Sequence, residues 1–404
     1  MSRREFSQSV AVGAMLSTRA EKSATYAVVG AGVFGAWTAY TLLLSGHKVI
    51  LIDQYGPASS RASSGGESRI IRCSYGPDEL YTRMAWRSLS LWSEFFGEAN
   101  RDLLHRTGVL WMARPGNQYA EQSRQSLRKA GVPFRDLSTE ELARDYPQIQ
   151  IDRGSVAILE PDSGALMARQ AVHAVVEAFV ARGGTYRLAA VRSPRGAGRL
   201  PGIEASGERI TADAFVFACG PWLGKVFPDL LGPRIFVTRQ EVLFFGIPAG
   251  DRRWEAPQMP VWIDFEDNRG MYGFPDLENR GFKVAFDNHG PPIDPDNANR
   301  FVTQEKINAA RAYVAQRFPA MRDAPIVDSR VCQYENTSNG DFLIDRHPDF
   351  ENVWLVGGGS GHGFKHGPAV GGYVAALLNG GATAAVEPRF SLASKGTEQN
   401  RSVV

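Results

Sequence analysis

Residues 27–53 read AVVGAGVFGAWTAYTLLLSGHKVILID, two apolar runs flanking a glycine turn and a helical stretch, with an acidic residue closing the second run. The order is strand, turn, helix, strand. No other stretch constrains the fold as much, because it requires two parallel strands joined by a crossover helix, with a dinucleotide at the first turn. Gly30 allows the tight turn after the strand, Gly32 lets backbone approach a pyrophosphate, and Gly35 lets the helix pack close to the sheet. The helix N-terminus offers N–H groups to the phosphates. Asp53 ends the second strand, where its carboxylate can accept hydrogen bonds from a ribose. Neither Gln54 nor Tyr55 supplies a cation for a 2′-phosphate, which disfavours NADP and leaves FAD or NAD.

The chain has 404 residues, more than one hydrophobic core usually supports, so two domains are expected. With 45 basic and 43 acidic residues there is no global field to recruit nucleic acid or an anionic membrane. Cys73, Cys219 and Cys332 form neither a disulfide framework nor a metal-ligand spacing, so no metal is expected. No apolar run reaches the roughly 18 residues of a spanning helix. Residues 1–24 carry Arg3-Arg4 ahead of a short small-residue run. They read either as a twin-arginine export signal, placing the protein in the periplasm, or as a plain basic leader of a cytoplasmic protein.

A Ser/Gly-rich loop after Asp53 opens into Arg69-Ile70-Ile71-Arg72. Two arginines three apart can face one pocket with the isoleucines packed behind them, or lie solvated on a surface helix. Periodicity predicts helices over 79–96, 170–182 and 303–318, and a capping box at Ser138 and Glu141 starts a shorter one. Strands at 185–191 and 214–218 return to the first sheet, so the nucleotide domain is discontinuous. The runs VTRQEVLFFG, VWIDF, MYGF and GFKVAF between 235 and 286 predict antiparallel sheet. A strand at 326–335 holds Cys332. Another at 352–357 enters a second glycine turn at 357–363 and then a helix. Two such turns at opposite ends of the chain suit the length of FAD, the second placing a positive helix end at the isoalloxazine N1–C2=O. The expected fold is α/β (α+β): a Rossmann-type FAD-binding domain over 25–95, 152–230 and 333–393, and a second, mainly antiparallel β-sheet substrate domain over 96–151 and 231–332. The tail, 394–404, reads as disordered.

In this order, GAGVFG…LID, SSGGESRIIRCSYG, ACGPW, RQEVLFF, MYGFP…GFKVAF, VCQY…DFLIDRHP and SGHGFK resemble the monomeric sarcosine oxidase and N-methyltryptophan oxidase branch of the D-amino-acid-oxidase-like flavoproteins. The resemblance implies an FAD-dependent oxidase of the C–N bond of an α-amino acid, secondary or N-methyl, with dioxygen reduced to hydrogen peroxide. The alternatives are a dehydrogenase of the same fold passing electrons to a carrier, and a flavin-binding scaffold without amine chemistry. By the same resemblance Arg72 and Lys365 bind the substrate carboxylate, a pairing that makes physical sense as a bidentate fork plus a point charge. It further implies that Cys332 is the thioether link to the flavin 8α-methyl, that Arg69 stacks near the flavin, that Lys283 activates dioxygen, and that Tyr272 and Tyr334 line the substrate cavity. The implied cofactor contacts are Gly30, Gly32, Val33, Phe34, Gly35, Asp53, Gln54, Ser64, Ser68, Arg69, Val191, Cys219, Gly220, Trp222, Cys332, Gly359, Gly361, His362, Gly363 and Lys365. The expected partners are a small amino acid and O2, with no nucleic acid and no membrane span, and the chain is expected to be a monomer. Two positions depart from the sarcosine oxidase pattern: Gly65 and Asp287 stand where that branch has histidines, and His289 is close but out of step. They put sarcosine itself in doubt as the substrate.

Overall fold

The computed structural model describes residues 23–265, 270–380 and 385–399. All but the last two residues of the 1–24 leader, and the tail beyond 399, lie outside the described residues. A six-stranded sheet runs in the order Leu343–Arg346, Val353–Gly357, Ala214–Phe217, Thr25–Val29, Lys48–Asp53, Thr185–Leu188. It is parallel except at its first pair. Thr25–Val29 has its sequence neighbour on one side and a strand nearly two hundred residues later on the other, so the crevice beyond its carboxyl end is a topological switch point, where such sheets bind ligands.

The Val33–Leu44 helix leaves that crevice and packs on Gly367–Asn379. The approach is set by small residues: a Cβ on Gly371 would lie 2.7 Å from the Trp37 backbone. Gly30 turns the chain at φ 105°, and a Cβ on Gly35 would strike its carbonyl.

The second sheet has eight strands, in the order Ile326–Asn336, Phe236–Phe245, Phe282–Phe286, Met271–Phe274, Val261–Asp264, Val109–Ala113, Val156–Glu160, Arg135–Leu137. It is antiparallel except where Val261–Asp264 runs parallel to Val109–Ala113. The Gln304–Arg317 helix, N-capped by Thr303, closes one face over a core of Trp254, Trp262, Phe282, Tyr313 and Phe318. The Ser138–Glu141 capping box is present at the start of Thr139–Asp145.

Several expectations need correction. Val156–Glu160 belongs to the eight-stranded sheet, although sequence places 152 onward in the nucleotide domain. The expected boundary at 332/333 falls inside the continuous strand Ile326–Asn336. Arg69 lies on a strand, Ser68–Ile71, paired with Gly164–Met167, and not on a surface helix. The helix expected straight after the second glycine turn begins at Gly367, behind a 3₁₀ turn at Phe364–His366, and Pro368 fixes its first turn. The tail is ordered as far as 399. Lys395 is 4% exposed and donates to the Arg389 carbonyl at 2.7 Å and Asn339 Oδ1 at 3.2 Å, while the Gly396 N–H donates to Ser338 Oγ at 2.8 Å. Its polar composition suggested solvent, but these side chains have buried partners.

Candidate active site

A cavity of about 340 Å³ opens at the switch point. Its wall includes Gly30, Gly32, Val33, Phe34, Asp53, Gln54, Ser64, Arg69, Val191, Cys219, Gly220, Trp222, Gly359, Gly361 and Gly363. Gly35 lies beneath this wall, and Ser68, Cys332, His362 and Lys365 are not on it. Asp53 is fixed by the N–H groups of Ala31 (2.7 Å), Tyr55 (2.8 Å) and Gly56 (2.9 Å). Burial pushes its carboxyl up and those donors pull it down. Ser64 Oγ accepts the Val33 N–H at 3.0 Å, tying the first helical turn to the Ser/Gly loop.

Strand alternation adds residues that the motifs did not mark. Gln333 and Glu335 face this cavity, and Gln333 Oε1 and Glu335 Oε1 are buried acceptors with no hydrogen-bond partner among the described residues. A glycine-walled crevice with a ribose-side carboxylate and two waiting acceptors fits a hydroxyl-rich dinucleotide such as FAD. Burial pushes the Glu335 carboxyl up to about 7, opposed by the Gly358 and Gly359 N–H groups. A raised carboxyl pKa favours the folded state while the group is protonated, and that contribution fades as pH rises from 4.5 to about 7. Flavin-free protein is therefore expected to lose about 3 kcal/mol over that window on account of Glu335. Adding Glu335→Gln should flatten the slope, as read by chemical unfolding at several pH values.

A second cavity, about 90 Å³, shares Arg69, Tyr334, Ser360, Gly361 and Phe364 with the first. Arg72, Tyr272, Cys332, His362 and Lys365 also line it. The Arg72 guanidinium is 6% exposed, donates to the Ser74 carbonyl, and lies 4.5 Å from the Tyr75 ring centre and 4.7 Å from that of Trp111. Glu160 holds this arrangement in place. Buried, it accepts from the N–H groups of Cys73 (2.7 Å) and Ser74 (3.0 Å), the hydroxyls of Ser74 (2.5 Å) and Ser163 (2.7 Å), and Trp111 Nε1 (3.1 Å). Lys365 Nζ donates to Tyr75 Oη at 2.8 Å and the His362 carbonyl at 3.0 Å. Burial, and then the Arg72 charge, push its ammonium well below the usual lysine range. An anion arriving between the two relieves that repulsion.

Cys332 Sγ accepts from Arg69 Nη2 at 3.3 Å, and the same nitrogen donates to the Ser63 carbonyl at 2.7 Å. Tyr334 Oη donates to Asp287 Oδ1 at 3.2 Å. Burial, and then Asp287, push the Tyr272 hydroxyl up to about 12. Lys283 stands apart from both cavities. It is 3% exposed, donates to the Ser68 carbonyl (2.9 Å) and hydroxyl (3.2 Å), and sits 4.2 Å from the centre of the Phe274 ring. It faces a water-sized void of about 10 Å³ together with Ser68. Burial, and then Arg69, push its ammonium well below the usual range. The motifs also missed Trp111 and Phe265 as wall residues, and Glu160 behind them. Trp111 and Phe265 meet through the one parallel pairing in the sheet, which no local pattern announces.

Residues 25–377 match the DAO family, FAD dependent oxidoreductase. The chain is 30% identical over 350 residues to the peroxisomal sarcosine oxidase of Homo sapiens, covering 85% of this chain and 89% of that one. It is 30% identical over 367 residues to the monomeric sarcosine oxidase of Bacillus sp. (strain B-0618), covering 88% and 92%. Among solved structures, L-proline dehydrogenase from P. horikoshii superposes with a TM-score of 0.79 at 21% identity, covering 92% of this chain and 97% of that one. The α/β (α+β) architecture, the dependence on FAD and the family resemblance read from sequence all hold. The protein is an enzyme and belongs to the DAO family of FAD dependent oxidoreductases.

Proposed function

We propose that the protein oxidises the C–N bond of a secondary or N-methyl α-amino acid, with dioxygen as electron acceptor. The observation that carries this reading is the pair Arg72 and Lys365, two buried cations on one small cavity whose wall continues into the cofactor cavity. The names of the sarcosine oxidase relatives point the same way. When bound, FAD supplies the acceptor for a hydride from the carbon next to nitrogen, and its reoxidation by dioxygen gives hydrogen peroxide. The substrate is left as an imine, which water hydrolyses to amine and carbonyl products.

The chain's own part is to bind and orient. Arg72 and Lys365 take the carboxylate, and the aromatic wall of Trp111, Phe265, Tyr272 and Phe364 excludes water around the reacting carbon. Holding Arg72 between the Tyr75 and Trp111 rings leaves its fork little freedom to lose on binding. A covalent bond between Cys332 and the flavin is part of this reading, supported by the thiol's place on the cavity wall beside Arg69. Lys283 serves dioxygen from behind Ser68, and the chain works as a monomer, in keeping with the name of the Bacillus relative.

The test is oxygen consumption and peroxide formation by purified holoenzyme across N-methyl, cyclic and D-amino acids. Turnover of secondary or N-methyl α-amino acids, and none of the matching amines that lack a carboxylate, is the expected pattern. Equal turnover of amines without the carboxylate would remove the basis of the reading.

A further inference from the structure

The smaller cavity carries a charged group that the carboxylate clamp does not use. Asp287 follows directly on the Phe282–Phe286 strand, and its side chain lies on the same wall as Arg72 and Lys365. Tyr334, on the boundary between the two cavities, donates its hydroxyl to Asp287 Oδ1 at 3.2 Å. The Asp287 charge acts on Arg72, Lys365, Tyr272 and Tyr334, and His289 and Arg69 share the cavity. In a space of about 90 Å³, with Arg69 at the boundary toward the larger cavity, the Arg72–Lys365 pair and the single carboxylate Asp287 are the negative image of a zwitterion. The cations match its carboxylate. Asp287 matches its ammonium.

The amine of a free α-amino acid is protonated at neutral pH, yet removal of a hydride from the adjacent carbon needs the nitrogen lone pair. Resting on the amino-acid oxidase reading, we propose that Asp287 binds the substrate ammonium and accepts its proton, so that the enzyme takes the zwitterion directly from solution. In this step one N–H bond breaks, one O–H bond forms on the Asp287 carboxyl, and the electron pair stays on nitrogen. Sealing the pair away from water favours the neutral amine and neutral acid over the buried ion pair, which offsets the unfavourable difference in their solution acidities. Tyr334 keeps the carboxylate turned to the boundary where the amine must lie. A histidine at 287 could hold a neutral amine but could not supply this negative charge.

The experiment uses holoenzyme, with the flavin absorbance reporting binding, and compares two probes that cannot be oxidised: N,N,N-trimethylglycine, a permanent zwitterion, and acetate, its carboxylate alone. In Asp287→Asn, trimethylglycine should weaken about tenfold or more while acetate holds or tightens. Anaerobic flavin reduction by an N-methyl amino acid, weakly pH-dependent in the wild type, should fall about tenfold per pH unit below the amine pKa in the variant. Asp287→Glu should restore part of both effects, which separates a charge role from damage to the fold. Equal changes for the two probes, with an unaltered pH profile in Asp287→Asn, would overturn the proposal. The amino-acid oxidase reading fails separately, by the wild type reducing with no secondary or N-methyl α-amino acid at any pH.

Discussion

Arg72→Gln and Lys365→Met are each expected to slow flavin reduction by amino-acid substrates about 10- to 150-fold and to leave reoxidation by dioxygen intact. Each replacement removes one charge-assisted contact to the carboxylate, worth about 1.5–3 kcal/mol. Both cations are buried, so solvent does not screen them, and neither can be replaced by water without disturbing a packed wall. The two losses should not simply add, because both groups act on the same carboxylate and on each other. Lys283→Met is expected to have the opposite profile, with substrate reduction surviving and reoxidation slowing sharply. That separation follows from geometry, since Lys283 lines neither cavity and reaches the site through Ser68 and Arg69. Stopped-flow absorbance of the flavin, following each half-reaction in each variant, reads both. Unchanged substrate reduction in Arg72→Gln and Lys365→Met would rule out the carboxylate clamp, and equal losses of both half-reactions in all three would show that the lysines do not divide the work.

On the covalent reading proposed above, denatured wild-type protein is expected to keep its flavin on the polypeptide, and denatured Cys332→Ser to release it completely. Cys332 is the thiol that the proposed linkage assigns, on the wall of the smaller cavity beside Arg69. Cys73 is fully buried among the elements that support Arg72, and Cys219 lies on the wall of the larger cavity, its thiol pushed well up by burial, then by Asp53 and Glu335. The Cys332 sulfur accepts a guanidinium N–H from Arg69 at 3.3 Å. The serine variant should keep its fold, since its hydroxyl can take the Arg69 N–H and it opens no large cavity. Acid precipitation followed by absorbance of pellet and supernatant decides the matter. Flavin released intact from the wild type would contradict the covalent assignment.

Where sequence succeeded, the signal was local. The glycine turn after Val29 and the carboxylate at Asp53 are fixed by chain geometry over a couple of dozen residues, and each lies at the switch point as that spacing requires. Cys332 and Tyr334 share the substrate face of one strand because side chains alternate, and the same alternation could have found Gln333 and Glu335 on the cofactor side. What sequence did not show depends on distant partners. Glu160 gathers donors from residues 73, 74, 111 and 163, and nothing in its own surroundings marks it as the support for Arg72. Nothing local marks Lys283 as buried; only the packing of Ser68 and Phe274 against it shows that it is. The tail was misread for the same reason: the acceptors for Lys395, Asn339 and the Arg389 carbonyl, become close only in the folded chain.

The central claim is that this cavity presents the C–N bond of an α-amino acid to the cofactor, and anaerobic mixing of holoenzyme with a panel of secondary and N-methyl α-amino acids tests it most directly. The expected result is loss of the oxidised flavin absorbance with at least one of them, one substrate consumed per flavin, and an amine and a carbonyl product recovered in equal amounts. An oxidised flavin that persists with every member of the panel, yet is reduced at once by dithionite, would contradict it.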